Sequence, residues 1–132
     1  MTHSGGCYCG AIRYDVVGKP KGVSLCHCQE CRRTSGAPMV AWAGFSDSQL
    51  TVTKGSPKGL NTLSGAIRSF CADCGTSFFY HNAELVPGMV YIQTATLDDP
   101  NALPPTAQIF AVEGISWMKD AHLLPAFERF AE

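Results

Sequence analysis

Seven cysteines in 132 residues fall into three groups, and this grouping constrains the fold more than any other feature. Cys7 and Cys9 lie in CYC, Cys26, Cys28 and Cys31 in CHCQEC, and Cys71 and Cys74 in CADCG. An odd count leaves one thiol over in any closed disulfide framework, and a reducing compartment does not sustain such a framework. Metal coordination accounts for the grouping better. Zinc takes thiolate ligands, and chains deliver them in pairs roughly two to four residues apart, because a tight knuckle brings two sulfurs to one ion. CADCG has this form, with Gly75 able to take the positive φ that turns backbone beneath a metal.

A structural zinc is closed by four protein ligands, whereas a catalytic zinc keeps three and leaves a position for water or substrate. Seven divides into four and three. CHCQEC carries three candidate ligands by itself, so Cys26, Cys28 and Cys31 are assigned to the open site and Cys7, Cys9, Cys71 and Cys74 to the closed one. Two zinc ions per chain are expected, and the closed site would staple the N-terminal hairpin to the middle of the chain. A second partition pairs CADCG with CHCQEC and leaves CYC idle. A dithiol redox site is the third reading, since CQEC has C-x-x-C spacing, but Cys26 just upstream and the lack of a βαβ pattern argue against it. His27 in extended chain points away from Cys26 and Cys28, which favours a supporting polar role over ligation. His3, His81 and His122 are isolated and carry no assigned function.

The rest of the chain reads as β. AIRYDVV alternates apolar and polar residues before a GKPKG turn. PMVAWAGF, QLTVTK, IRSFC, TSFFYH and MVYIQTATL are rich in β-branched and aromatic residues between Gly, Pro, Ser and Asn. Roughly seven or eight short strands are expected. QECRRTSG holds one helical turn after the cysteine cluster, and LPAFERFAE predicts a short C-terminal helix starting near Pro125. The length fits one domain over 1–132, and the proline-rich LDDPNALPPT is a loop within it. Trp42, Phe78, Phe79, Tyr80 and Trp117 are core residues or pocket wall.

Charge narrows the partners. A net charge of −1 and a pI near 6.4 give no bulk attraction for nucleic acid or anionic lipid. Seven bound thiolates carry −7 and two Zn²⁺ carry +4, which would move the formal −1 to −4. No apolar run reaches the roughly 18 residues of a membrane span, and MTHSGGCYCG has no secretory pattern, so a cytoplasmic location is expected. Arg32 and Arg33 follow the third ligand of CHCQEC, where they either hold a substrate carboxylate or stay solvated on the surface. Ser35 and Gly36 are further candidates for shaping a pocket.

The order GGCYCGAIRY, CHCQECRRTSGAP, FCADCGTSFFY, TLDDP, IFAVEGISW and LPAF resembles the glutathione-dependent formaldehyde-activating family, which also includes centromere protein V. The resemblance covers nearly the whole chain. It implies a mainly β fold of the tent type, with a structural zinc on Cys7, Cys9, Cys71 and Cys74 and a catalytic zinc on Cys26, Cys28 and Cys31. It also implies a carbon–sulfur lyase that joins formaldehyde to glutathione reversibly, giving S-hydroxymethylglutathione. One position departs from the pattern. Many members of that family have His before the IF dipeptide, where this chain has Gln108. Glutamine hydrogen-bonds but does not exchange protons near neutral pH, so another thiol adduct becomes the alternative substrate. Two other classes stand beside the enzyme: a zinc-stabilised binding module, which would call for a basic patch this chain lacks, and a thiol redox or metal-handling protein.

Overall fold

The computed structural model describes residues 1–131, and among them ten strands form two sheets. β1 (Thr2–Gly6), β2 (Arg13–Val17) and β5 (Leu50–Lys54) make an antiparallel three-stranded sheet in the order β1-β2-β5. The larger sheet contains β3 (Gly22–Cys26), β4 (Val40–Ser46), β6 (Lys58–Asn61), β7 (Ile67–Phe70), β8 (Ser77–His81), β9 (Met89–Gln93) and β10 (Ala107–Ile109). Its order is β10-β3-β4-β9-β8-β7-β6, antiparallel except where β10 runs parallel to β3. Among the described residues the one α-helix, α1 (Gln29–Ser35), follows β3.

Alternation explains how the strands divide their faces. In β2, Tyr14 and Val16 are fully buried while Arg13 and Asp15 are only partly so. Central strand β4 is apolar on both faces: Ala43 and Phe45 join the main core, and Val40 and Trp42 belong to a second cluster with Cys26 and Cys31. In the same way Val90 and Ile92 of β9 face the main core, while Tyr91 packs with the second cluster. The main core, which includes Tyr14, Phe45, Phe78 and Phe79, joins the two sheets; burying each such side chain contributes about 1.5–3 kcal/mol. The opposite face of the large sheet is thereby left to carry the cysteine site.

Tyr14 shows how tightly the core is specified. Its ring meets Phe79 edge-on at 5.1 Å between centroids, and its hydroxyl lies 2.7 Å from Thr96 Oγ1, which in turn donates to the Gln93 carbonyl at 2.8 Å. Tyr14→Phe keeps the packing and removes only this donor, so it should lower the unfolding free energy by about 1–2 kcal/mol in urea denaturation. An unchanged midpoint would show that the hydroxyl is not part of the stabilising network.

Mainly β architecture matches the sequence expectation, with two differences in detail. Four strands escaped the pattern, β1, β3, β6 and β10, because glycine-rich and three- to five-residue segments carry little periodicity. The helix expected to start near Pro125 is not present in the described part: the nearest helical turns are 3-10, lie upstream over Ser116–Leu123, and are capped at Leu124. Beyond that point Pro125 and its neighbours up to 131 hold no regular element, and residue 132 lies outside the described residues. Phe127 and Phe130 are exposed there, so a helix in LPAFERFAE would bury no apolar face and its formation gains nothing from packing. Among the described residues no helix is long and apolar enough to cross a membrane.

Candidate metal centres and the adjoining cavity

Two turns build the four-cysteine cluster. The β1–β2 loop presents Cys7 and Cys9, with the Cys7 N–H donating to Ile12 O at 3.1 Å and the Gly10 N–H to Cys7 O at 3.2 Å. The β7–β8 loop presents Cys71 and Cys74, closed by the Gly75 N–H to Cys71 O at 2.8 Å, with Gly75 at φ 83° as its turn requires. The Tyr8 N–H donates to Thr76 Oγ1 at 3.1 Å and ties the loops together. Cys7 Sγ stands 3.6 Å from Cys9 Sγ, and Cys9 Sγ 3.8 Å from Cys71 Sγ. These spacings exceed a disulfide bond and match the edge of a sulfur tetrahedron around zinc, about 3.8 Å for Zn–S bonds near 2.3 Å. Backbone N–H of Ile12 lies 3.3 Å from Cys7 Sγ, and Thr76 lowers the Cys74 thiol to about 6, both of which favour thiolates.

The three-cysteine cluster sits at the end of β3 and the start of α1. Cys26 closes the strand, Cys28 is the helix N-cap with its sulfur accepting the Cys31 N–H at 3.3 Å, and Cys31 lies in the first turn. Gly36, in left-handed conformation, ends the helix by donating to Arg32 O. Cys26 and Cys31 sulfurs are 3.5 Å apart, and all three sulfurs lie within 4.8 Å of one another. Donor chemistry and spacing therefore fit zinc here too, with three ligands and not four. Contact with the Cys26 sulfur comes first, and the Arg68 guanidinium second, in holding the Cys31 thiol down to about 5 against its burial. Cys26 is pushed up by the same contact and by burial.

Arg68 is the residue the sequence reading missed. It is 3% exposed, and its Nη2 lies 3.4 Å from Cys31 Sγ. Its Nε donates to Glu30 Oε2 at 2.9 Å, and Glu30 Oε1 accepts from Ser64 at 2.7 Å. The guanidinium lies 5.0 Å from the Tyr80 ring centre and 5.6 Å from that of Trp42, a cation–π arrangement. Burial opposes its charge, but the Cys31 sulfur and Glu30 more than offset this and raise its pKa. Alternation in IRSF suggests apolar Ile67 inside and Arg68 outside; the protein does the reverse, with Ile67 45% exposed. Glu30 was visible in the sequence, since it lies within CHCQEC itself.

Over these sulfurs opens a cavity of about 410 Å³, with Cys26, Cys28 and Cys31 in its lining. Its walls are largely aromatic and aliphatic: Trp42, Tyr80, Tyr91, Leu85, Val86 and Phe110. Trp42 and Tyr80, expected as core or pocket wall, line it; Phe78 and Phe79 are main core, and Trp117 is exposed.

Arg32 and Arg33, expected to hold a substrate carboxylate or stay solvated, Ser35, a candidate for shaping the pocket, and Gln108 all lie outside the cavity lining. Arg32, Arg33 and Ser35 lie on α1, and Ser35 Oγ accepts from Gln93 at 3.3 Å. Gln108, on β10, has its Oε1 2.8 Å from Nε2 of the buried His27. His27 is thus a supporting residue that joins the ligand loop to β10, reinforced by its own N–H donating to Ile109 O at 3.1 Å. His81 pairs with Asp47 at 3.0 Å, and neither it nor His3 or His122 joins either cysteine cluster.

Comparison with known proteins places these observations in a family context. Residues 2–113 match the family described as glutathione-dependent formaldehyde-activating enzyme. A Schizosaccharomyces pombe protein named as an uncharacterized lyase is 28% identical over 78 residues, 59% of this chain and 56% of its own length, so the match spans little more than half of that relative. A Halomonas elongata protein named for glutathione-dependent formaldehyde activation is 28% identical over 115 residues, covering 80% of this chain and 71% of its own. A crystal structure of a Rhodobacter sphaeroides protein shares the fold, with a TM-score of 0.63 at 24% identity over 80% of this chain and 98% of that one.

Proposed function

The chain belongs to the glutathione-dependent formaldehyde-activating enzyme family, and from that membership we propose that it is a zinc-dependent carbon–sulfur lyase. Its substrates are thiol–aldehyde adducts of the S-hydroxymethylglutathione type. The observation that carries the reading is the difference between the two clusters: four sulfurs close one, whereas three converge beneath an open cavity. A closed set suits a structural ion and an open set suits one that meets substrate.

Cys7, Cys9, Cys71 and Cys74 would hold the structural zinc, and Cys26, Cys28 and Cys31 the catalytic one. When bound at three thiolates, zinc supplies a site where a substrate thiol ionises near neutral pH, more than it supplies a strong Lewis acid, because the thiolates donate so much charge. The chain's own residues set the conditions around it. Cys26 and Cys31 are buried, and the rings of Trp42, Tyr80 and Tyr91 line the cavity above them. Arg68 fixes the position of Cys31 through its contact with the sulfur, and is itself fixed by Glu30, Trp42 and Tyr80. In the reaction R–SH + R′CHO ⇌ R–S–CH(OH)R′ one C–S bond forms, the carbonyl electron pair moves to oxygen, and one proton passes from sulfur to that oxygen. Two reactants held side by side gain most from fixed positions.

Cys28→Ala tests the reading, because Cys28 is the most accessible of the three ligands and its loss disturbs packing least. The expected result is a fall in metal content from two zinc ions per chain to one, a folded protein by circular dichroism, and turnover of the glutathione–formaldehyde adduct reduced to background. Full activity with Cys28, Cys26 and Cys31 each replaced would overturn it.

A further inference from the structure

The Arg68 guanidinium is held from several sides. Nε and Nη2 each lie 2.9 Å from Glu30 Oε2, Nη2 donates to Cys31 Sγ at 3.4 Å, and the central carbon stands over the Tyr80 and Trp42 rings. Nη1 has no partner among the described residues. The other buried side-chain nitrogens in that condition are on His3, His27 and Arg32, and Arg68 alone of the four residues lines the cavity over Cys26, Cys28 and Cys31. Buried donors are nearly always paired, because losing water without gaining a partner is costly. A donor fixed in place and left unpaired at a cavity is suited to a partner that arrives with a ligand.

The shape of the guanidinium says where this donor reaches. Its five N–H groups lie in one plane at fixed angles. One hydrogen of Nη2 shares an edge with Nε and serves Glu30, and the other shares an edge with Nη1 and serves Cys31. The inner hydrogen of Nη1 runs parallel to that second one, so it is directed into the space beside the Cys31 sulfur. A thiol–aldehyde adduct carries its oxygen on the carbon next to its sulfur, whereas the carboxylates of glutathione stand at the far ends of the tripeptide. A donor this close to the sulfur cluster is matched to the adduct oxygen.

We propose that Arg68 is a catalytic residue, whose Nη1 donates to the oxygen of the thiol–aldehyde adduct and stabilises the negative charge on that oxygen while the carbon–sulfur bond forms or breaks. This rests on the reading of the three-cysteine cavity as the substrate site, and it adds the group that answers the oxygen. In cleavage the hydroxyl proton passes to sulfur, the electron pair it leaves on oxygen closes the carbonyl, and the C–S pair departs with sulfur, giving thiol and aldehyde. Arg68 surrenders no proton, since a guanidinium stays charged. Its role is electrostatic, and a donor already fixed where charge develops needs no reorganisation during the reaction.

The test compares the parent with two variants. Glu30→Gln with Arg68→Met removes the donor, keeps the volume filled and leaves no carboxylate unpaired. Arg68→Lys keeps the charge but cannot serve Glu30, Cys31 and the oxygen at once. Zinc per chain, the calorimetric Kd for glutathione without aldehyde, and kcat for the glutathione–formaldehyde adduct are measured for each. Glutathione alone lacks the adduct oxygen, so its affinity reports the integrity of the site and not the proposed contact. The double variant is expected to keep the zinc content of the parent and a Kd within threefold, and to lose about a hundredfold or more in kcat, the scale of one lost oxyanion donor. Arg68→Lys is expected to fall about tenfold in kcat at unchanged Kd, and it reads the donor independently should the double variant not fold. A kcat within threefold of the parent in both variants overturns the proposal and leaves the lyase reading intact. Loss of zinc or of glutathione affinity in step with kcat makes Arg68 a structural residue and also overturns it. A parent that does not turn over the adduct overturns the lyase reading and the proposal with it.

Discussion

Replacing Cys71 by serine is expected to leave the chain unfolded, or folded only with a large fall in its thermal midpoint, with no more than one zinc ion retained per chain. The four-cysteine cluster joins residues 62 positions apart, from Cys9 to Cys71, and so ties the loop of the small sheet to the loop between β7 and β8 of the large one. A structural zinc site of this kind contributes on the order of 10–16 kcal/mol of apparent binding free energy in small zinc-dependent folds. Whole domains are stable by only about 5–15 kcal/mol. Loss of one ligand therefore competes with the entire margin. Cys71 is also 1% exposed and part of the main core, so its replacement adds a packing penalty and a buried hydroxyl. Circular dichroism with metal analysis reads the result. Cys28→Ala serves as the comparison, since it removes a ligand at the edge of the cavity and not between the sheets. A Cys71→Ser protein with two zinc ions and an unchanged midpoint would contradict the assignment of the closed site.

Arg68→Ala is expected to cost about 3 kcal/mol in unfolding free energy, at the low end of the range for breaking a buried ion pair, because the Glu30 side chain keeps 27% of its exposure. Truncation leaves that carboxylate without its partner and opens a gap between Trp42 and Tyr80. Lysine should recover only part of the loss, since an ammonium keeps the charge but cannot stack between two rings or bond Glu30 and Cys31 as a planar fork does. The double variant Glu30→Gln with Arg68→Met separates charge from packing. It should be closer to the parent in stability than Arg68→Ala, as uncharged replacements of a buried pair often are. Equilibrium urea denaturation of the four proteins checks the order. A cost under 1 kcal/mol for Arg68→Ala would show that the guanidinium is tolerated at this position and not needed there.

The two predictions differ in how far they could be reached from the amino acids. The cysteine groups and their division into four and three were legible because metal ligands come from tight local turns, whose spacing is written directly in the chain. The central strands were legible for a similar reason: in β2 and β9 the alternation of apolar residues coincides with the buried face. The environment of Arg68 was not legible. Its partners, Glu30 and Cys31, lie 38 and 37 positions away, and local alternation assigns the arginine to the wrong face of its strand. Gln108 was noticed as a departure from a pattern, yet its contact with His27 depends on the parallel pairing of β10 with β3, which no short-range signal reports.

By itself, then, the sequence determined the β character of the chain, the family to which it belongs, and which cysteines gather into one cluster. All of these rest on local periodicity, ligand spacing or motif order. Tertiary structure alone decided what surrounds the open cluster: a cavity walled by Trp42, Tyr80 and Tyr91, and a buried guanidinium against Cys31. These features come from strands that meet only when the large sheet assembles. A residue's environment is set by which distant segments pack against it, and that information is distributed over the whole chain.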